Sequence, residues 1–147
     1  MVDNWHRNFL ESIEENFHSD VALERKYCFL NSNRKRLYLP YAPGIKRREV
    51  LSNPDILLQN NKTDNIEYII EVEYQVNYKK IAGIAVMTDV AVGQMGLKSK
   101  PKLMLLVRKS FPNMKLMQNE IQARVRNIRF SLYDSSDFIS KISSLIS

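Results

Sequence analysis

The chain has 147 residues, a length typical of one domain with a packed core. Its hydrophobic fraction of 44% excludes global disorder, and a net charge of +6 favours an anionic partner such as nucleic acid. Cys28 is the only cysteine, which excludes an intramolecular disulfide and predicts a reducing, cytoplasmic location.

Targeting and membrane segments are not expected. The N-terminal segment is acidic and lacks the apolar stretch of a signal peptide. The longest apolar stretch, residues 81–92, is interrupted by Thr88 and Asp89. A bilayer span needs about 20 apolar residues, so this stretch is too short. We therefore expect residues 1–147 to form a single domain without a membrane partner.

The first third of the chain predicts two helices and then a strand. Apolar residues every four positions predict an amphipathic helix at the N-terminus: Trp5, Phe9, Ile13 and Phe17. Ser19 or Asp20 is the expected cap of a second, short helix that reaches about Cys28. Residues 31–36 indicate a basic turn and residues 36–41 a strand, followed by a loop or edge strand over 43–49.

The middle of the chain predicts two strands and a helix. Residues 56–59 form a short apolar strand, and a polar turn connects it to residues 66–74. The apolar residues of 66–74 do not alternate, which indicates a central strand covered on both faces. Residues 76–95 have strand-like composition, but their length and alanines favour a buried helix.

The last third alternates strands and helices. Residues 102–109 predict a buried strand, and Asn113 is the expected cap of a helix with an apolar face from Met114 to Ile128. Residues 129–134 alternate like a strand, and 137–146 predict a short amphipathic helix. Strands alternating with helices predict an α/β fold with a mixed central sheet and helices on both faces.

Three acids accompany the two middle strands. Asp55 precedes the first strand, and Glu71 and Glu73 lie on one face of the second, with the Val72 carbonyl between them. If the two strands pair as a hairpin, Asp55 and Glu71 lie near each other. Mg²⁺ prefers oxygen ligands and usually takes one or two carboxylates. The pattern therefore predicts a divalent-cation site, at which the cation offsets the repulsion between the acids.

This arrangement resembles the signature of the PD-(D/E)xK nuclease superfamily. Pro54-Asp55 is followed sixteen positions later by Glu71 and then by Glu73, and the elements downstream follow the same order. The resemblance covers residues from about 20 to 134. Small single-domain members of the superfamily include archaeal Holliday-junction resolvases and type II restriction endonucleases, and the length and basicity of this chain suit either. The resemblance implies a restriction-endonuclease-like fold.

The resemblance implies an endonuclease that uses Mg²⁺, with Mn²⁺ as a substitute, and leaves 5′-phosphate and 3′-hydroxyl ends on DNA. Asp55, Glu71 and the Val72 carbonyl would bind the metal, and Glu73 would hold a second metal or orient the attacking water. Glu73 stands where the family normally has Lys. Lys79 or Lys80 is the candidate to supply the missing positive charge.

Further residues have possible roles in such a site. Gln75 would share the face of the acids and orient water or phosphate. Many members of the superfamily also use a Glu from the first helical region, for which Glu24 is the first candidate and Glu14 the second. Members usually dimerise to cut two strands, and the apolar 81–95 segment or the C-terminal helix is the candidate interface of a homodimer.

Two basic groups flank the strand predicted at 36–41. They are candidates for contacts with DNA phosphates, although solvated turns would have the same composition: Arg34, Lys35, Arg36, Lys46, Arg47 and Arg48. Two further functions remain open. One is a nucleic-acid-binding protein on the same fold that has lost catalysis, and the other is a basic interaction module in which the acids only set a turn.

Overall fold

A computed structural model describes residues 4–31, 54–74 and 77–146. Within these ranges the structure contains the helices and strands that the sequence predicts and one further strand, Tyr27–Asn31, that the sequence does not predict. In chain order they are α1 (Trp5–Ser19), α2 (Val21–Lys26), β1 (Tyr27–Asn31), β2 (Ile56–Asn60), β3 (Ile66–Glu73), α3 (Tyr78–Met95), β4 (Lys102–Val107), α4 (Met114–Arg124), β5 (Arg129–Asp134) and α5 (Ser135–Leu145).

The strands of the described residues form one mixed sheet in the order β1-β2-β3-β4-β5. β1, β2 and β3 pair antiparallel, whereas β3, β4 and β5 pair parallel. β3 is therefore the middle strand and joins the antiparallel half to the parallel half. The mixed α/β sheet predicted from the sequence is confirmed.

Helices cover both faces of the sheet. α1 and α5 pack on one face around fully buried residues such as Phe17 and Phe138. α3 and α4 pack on the other face, where Ile81 of α3 is fully buried. Consecutive β3 residues enter opposite cores, Ile69 on the α3 side and Ile70 on the α1 side, which confirms that this strand is covered on both faces.

The prediction that α2 reaches about Cys28 is wrong, because a strand begins one residue earlier. α2 ends at Lys26, and Tyr27–Asn31 pairs along its whole length with β2. Tyr, Cys and Phe favour a pleated, half-buried surface over a helix, and pairing satisfies their backbone groups. The strand predicted at 36–41 lies outside the described residues.

The helix ends partly match the sequence prediction. The Asp20 carboxylate caps α2 by accepting from the N–H groups of Ala22 and Leu23, as predicted. Asn113 precedes α4 as predicted, but its backbone is left-handed with φ 65° and its side chain makes no cap bond. α4 also ends at Arg124, so the buried residues 125 and 128 belong to the connection to β5.

The helix predicted over 76–95 is confirmed as α3, which is buried along one side. Its opposite side carries Val86, Met87 and Val90, which are 52%, 42% and 43% exposed.

Within the described part of the chain, no helix combines the length and the apolar character that a membrane span requires.

Candidate active site

The three predicted acids lie at the same end of the β2–β3 hairpin. Ile56, the first residue of β2, pairs with Ile70, which places Asp55 beside the last residues of β3. Asp55 Oδ2 accepts a hydrogen bond of 2.9 Å from the N–H of Val72. This bond fixes the Asp55 carboxylate against the strand segment that carries the two glutamates.

The Val72 peptide is oriented toward Asp55. The N–H and C=O groups of one strand residue point to the same side of the strand. Since the Val72 N–H reaches Asp55, its carbonyl also faces the Asp55 side. The carbonyl of Glu73 faces the other way and accepts from the N–H of Arg108 in a bond of 3.2 Å. The Val72 carbonyl, unlike that of Glu73, therefore lies on the same side of β3 as the Asp55 carboxylate.

Glu71 occupies the most crowded position of the three. It keeps part of its surface exposed, but most of the space around its carboxylate is filled by protein. Burial raises the pKa of Glu71 well above its usual range, and the negative charges of Asp55 and Glu73 raise it further. Lys80 acts in the opposite direction. The part of the shift that comes from Asp55 and Glu73 is a repulsion between negative charges that a bound cation would relieve.

Glu73 is held by a lysine from the next helix. Lys80 Nζ lies 3.1 Å from Glu73 Oε2, and the Glu73 side chain is only 13% exposed. Lys79 is exposed and makes no ion pair with any described residue. Of the two lysines considered from the sequence, Lys80 is the one next to the acids.

His6 is a member of this cluster that the sequence analysis missed. Its Nε2 lies 3.4 Å from Asp55 Oδ2. The pKa of His6 is raised, chiefly by the hydrogen bond to Asp55, and further by the charges of Asp55 and Glu73 and by a hydrogen bond to the Val72 backbone, while burial opposes the shift. Nothing in the sequence pairs a residue of the first helix with Asp55, because the contact depends on how α1 docks on the sheet.

An arginine that contacts two aromatic rings lies at the same end of the sheet, and the sequence gives no signal for it. The Arg108 guanidinium carbon is 4.6 Å from the ring centre of Tyr74 and 5.5 Å from that of Trp5. The two rings meet edge to face at 5.8 Å. These contacts hold a positive charge next to the end of β3.

Glu24 is not brought to the acids. It is exposed on α2, and its Oε2 lies 3.2 Å from Nδ1 of His18. α2 leads into Tyr27, which pairs with Asn60 at the end of the hairpin opposite Asp55. The described contact of the Glu24 carboxylate is therefore with His18 rather than with Asp55, Glu71 or Glu73.

Glu14, the second candidate, lies closer to the cluster. Its Oε2 accepts a 2.6 Å hydrogen bond from Nδ2 of Asn31. Asn31 pairs with Ile56, the residue next to Asp55. Gln75 and the two basic groups lie outside the described residues: Arg34, Lys35, Arg36, Lys46, Arg47 and Arg48.

The chemistry of the donor set fits Mg²⁺ through two carboxylates. In residues 4–31, 54–74 and 77–146, no three or more His, Cys, Asp or Glu side chains are grouped so as to hold a metal. Mg²⁺ usually takes only one or two carboxylates and completes its shell with water and phosphate oxygens. Asp55, Glu71 and the Val72 carbonyl form such an all-oxygen set, whereas Glu73 is engaged by Lys80.

Comparison with protein-family models, with curated proteins and with solved structures gives no match.

Proposed function

We propose that this protein is a metal-dependent DNA endonuclease on a restriction-endonuclease-like core, akin to the PD-(D/E)xK nucleases. The observation that carries the proposal is the meeting of Asp55, Glu71 and the Val72 peptide at one end of the hairpin, with Lys80 against Glu73. The basic balance of the chain supports a polyanionic substrate.

Each residue at the site has a role in phosphodiester hydrolysis. Asp55, Glu71 and the Val72 carbonyl would hold Mg²⁺ or Mn²⁺, which when bound polarises a phosphate oxygen and lowers the pKa of a water. Asp55 Oδ2 is already engaged by Val72 and His6, which leaves Oδ1 for the cation. Glu73 would accept the proton of the attacking water as general base.

Lys80 would supply the positive charge that the family usually draws from Lys at the position of Glu73. Its ammonium reaches the acids from the first turn of α3, 3.1 Å from Glu73 Oε2. A lysine at this distance can balance Glu73 and also contact a phosphate placed between them. The positive charge would then come from α3 instead of β3, and it would still lie next to the position of Glu73.

DNA cleavage tests the proposal. Supercoiled plasmid and branched DNA are incubated with the protein and Mg²⁺ or Mn²⁺. Asp55→Asn is expected to lower the cleavage rate by about a thousandfold or more, because it removes a metal ligand. Asp64→Asn, the same change in the exposed turn of the hairpin, is the matched control and should cut normally. Cutting that survives Asp55→Asn would remove this site from the mechanism.

A nucleic-acid-binding protein without catalysis is the second candidate. It is favoured by the Lys80–Glu73 and His6–Asp55 pairs, which offset the charge of the acids without a metal. This alternative predicts a mobility shift with DNA that weakens steeply with salt, and no cleavage with either metal.

A further inference from the structure

A polar cavity lies at the end of the sheet opposite the acids. Its volume is about 360 Å³, and three cationic side chains, two tyrosines and a glutamate line it. The cations come from separate segments: Lys26 ends α2, Lys100 precedes β4, and Arg129 begins β5. Their proximity is therefore set by the fold rather than by a basic run in the sequence.

The charge around this cavity is unbalanced within the described residues. Glu67 is the one carboxylate that lines it, and its Oε2 already accepts a hydrogen bond from Asn60 Nδ2 at 3.3 Å. Lys26, Lys100 and Arg129, which line the cavity, are all exposed to solvent. Like charges held together repel each other, and a bound anion would relieve the repulsion.

Two buried tyrosines contribute hydroxyl groups to the lining of the cavity. Tyr27 and Tyr68 are buried and meet edge to face, with ring centres 5.7 Å apart. Burial raises the pKa of Tyr27, with further contributions from Tyr68 and Glu67, so its phenol remains a neutral hydroxyl. Leu58 pairs with Tyr68 and Gln59 pairs with Ile66, which leaves Glu67 as the extra residue of a β-bulge.

We infer that this cavity binds a phosphate-bearing anion. The excess positive charge suits a dianionic group, and the planar fork of Arg129 can contact two phosphate oxygens at once. The volume falls in the range of small-ligand sites. The phosphate belongs either to a small phosphorylated molecule or to a polynucleotide backbone.

The cavity is separate from the candidate active site. Glu67 and Glu73 are six residues apart on β3, which corresponds to about 20 Å along the strand. Binding here does not depend on the acids or on a metal. Phosphate binding in this cavity is therefore expected whether or not the protein cleaves DNA.

Titration followed by NMR tests the inference on the whole chain, with inorganic phosphate, pyrophosphate and a short single-stranded oligonucleotide as probes. Saturating shifts are expected at the amides of Glu67, Tyr68, Lys100 and Arg129. The double variant Lys100→Gln/Arg129→Gln should weaken binding of the best probe at least tenfold. The control variant Lys115→Gln/Arg126→Gln removes one lysine and one arginine elsewhere on the exposed surface. It should change the affinity for the same probe less than twofold.

The probes also distinguish the source of the phosphate. Tighter pyrophosphate than oligonucleotide binding assigns a small phosphorylated ligand, and the reverse order assigns a polynucleotide backbone. Asp55→Asn should leave either result unchanged. Chemical-shift changes that do not saturate, or that map outside the cavity, would overturn the inference. An equal loss of probe affinity in the two double variants would overturn it as well.

Discussion

Two of the acids at the candidate site are held by partners that differ in kind. Asp55 Oδ2 accepts from a backbone amide and lies next to an imidazole, and Glu73 pairs with an ammonium. Glu71, between them, has a raised pKa because it is buried and faces both negative charges. Hydrogen bonds to a ligating carboxylate orient it toward a metal, and their loss typically weakens metal binding by 10- to 100-fold.

His6→Ala should weaken Mn²⁺ binding by about tenfold or more, because one contact that orients Asp55 is lost. His6→Gln keeps a donor and should restore much of the affinity. His18→Ala changes the other histidine of the chain, which faces Glu14 and Glu24, and should bind like the wild type. Mn²⁺ affinity is measured by electron paramagnetic resonance. Equal affinity of the His6→Ala and wild-type proteins would contradict this role.

Glu71→Gln should stabilise the metal-free protein while removing its response to metal. The change relieves a crowded negative charge, and we expect a gain of about 0.5–2 kcal/mol in the free energy of unfolding at pH 7. Addition of Mn²⁺ should no longer raise the melting temperature. Glu15→Gln on the exposed side of α1 is the control and should keep that rise. A destabilised Glu71→Gln protein would show that the acids are not under repulsion.

At the scale of the elements, aspartates link helices to their neighbours. Asp134 caps α5 by accepting from the N–H of Ser136 at 2.9 Å, and its other oxygen accepts from the N–H of Ser110 at 2.8 Å. Asp20 caps α2 and also accepts from the Ser143 hydroxyl of α5. α5 is thus joined to both ends of the sheet through side chains at helix termini.

Asp134→Ala should lower the free energy of unfolding by about 1–2 kcal/mol at pH 7, because α5 loses its cap. Hydrogen bonds from Ser136 and Ser110 lower the pKa of Asp134 in the folded state. A lowered pKa stabilises the folded state above the pKa of the unfolded chain, which is about 3.9, and this contribution is lost as the pH falls through the folded value.

Denaturant unfolding at several pH values tests this prediction. The difference in the free energy of unfolding between the wild type and Asp134→Ala should be constant near neutral pH and shrink below about pH 4. Asp137 lies in the first turn of the same helix, and its side chain makes no cap bond in the described structure. Asp137→Ala should therefore lower the free energy of unfolding by less than Asp134→Ala does. A wild-type-to-variant difference that persists unchanged at low pH would contradict the assigned role of the Asp134 carboxylate.

The elements that the sequence predicted well are those with a strong local pattern. The stripe from Trp5 to Phe17 and the apolar run of β4 needed no information from distant residues. β1 was missed because Tyr27–Asn31 directly follows a helical turn and pairs with residues of β2 much later in the chain. His6 and Arg108 could not be predicted, since their contacts with Asp55 and Tyr74 arise only when helix and strands are assembled.

At the scale of the whole molecule, the parallel strands β3, β4 and β5 all end at the same edge of the sheet. Ligand sites in open α/β sheets usually lie at this edge, and the candidate active site does as well. The α3 helix that follows β3 leaves Val86, Met87 and Val90 exposed. An apolar stripe of this kind is a candidate interface for the homodimer that the resemblance to the nuclease superfamily implies.

Val90→Glu should weaken self-association at least tenfold, because it places a charge in this stripe. Val21→Glu makes the same change at an exposed valine of α2, where it should have no effect on oligomeric state. Light scattering coupled to size-exclusion chromatography measures the mass over a concentration series. A wild-type protein that remains monomeric throughout, or a Val90→Glu dimer of unchanged affinity, would contradict the proposed interface.

Anomalous diffraction from crystals soaked with Mn²⁺ tests the central claim most directly. We predict one strong peak between Asp55, Glu71 and the Val72 carbonyl, at the 2.0–2.1 Å ligand distance typical of Mg²⁺ or slightly beyond. The peak should vanish in Asp55→Asn crystals soaked in the same way. Saturating Mn²⁺ without a peak at these oxygens, or with peaks only elsewhere on the protein, would contradict the account.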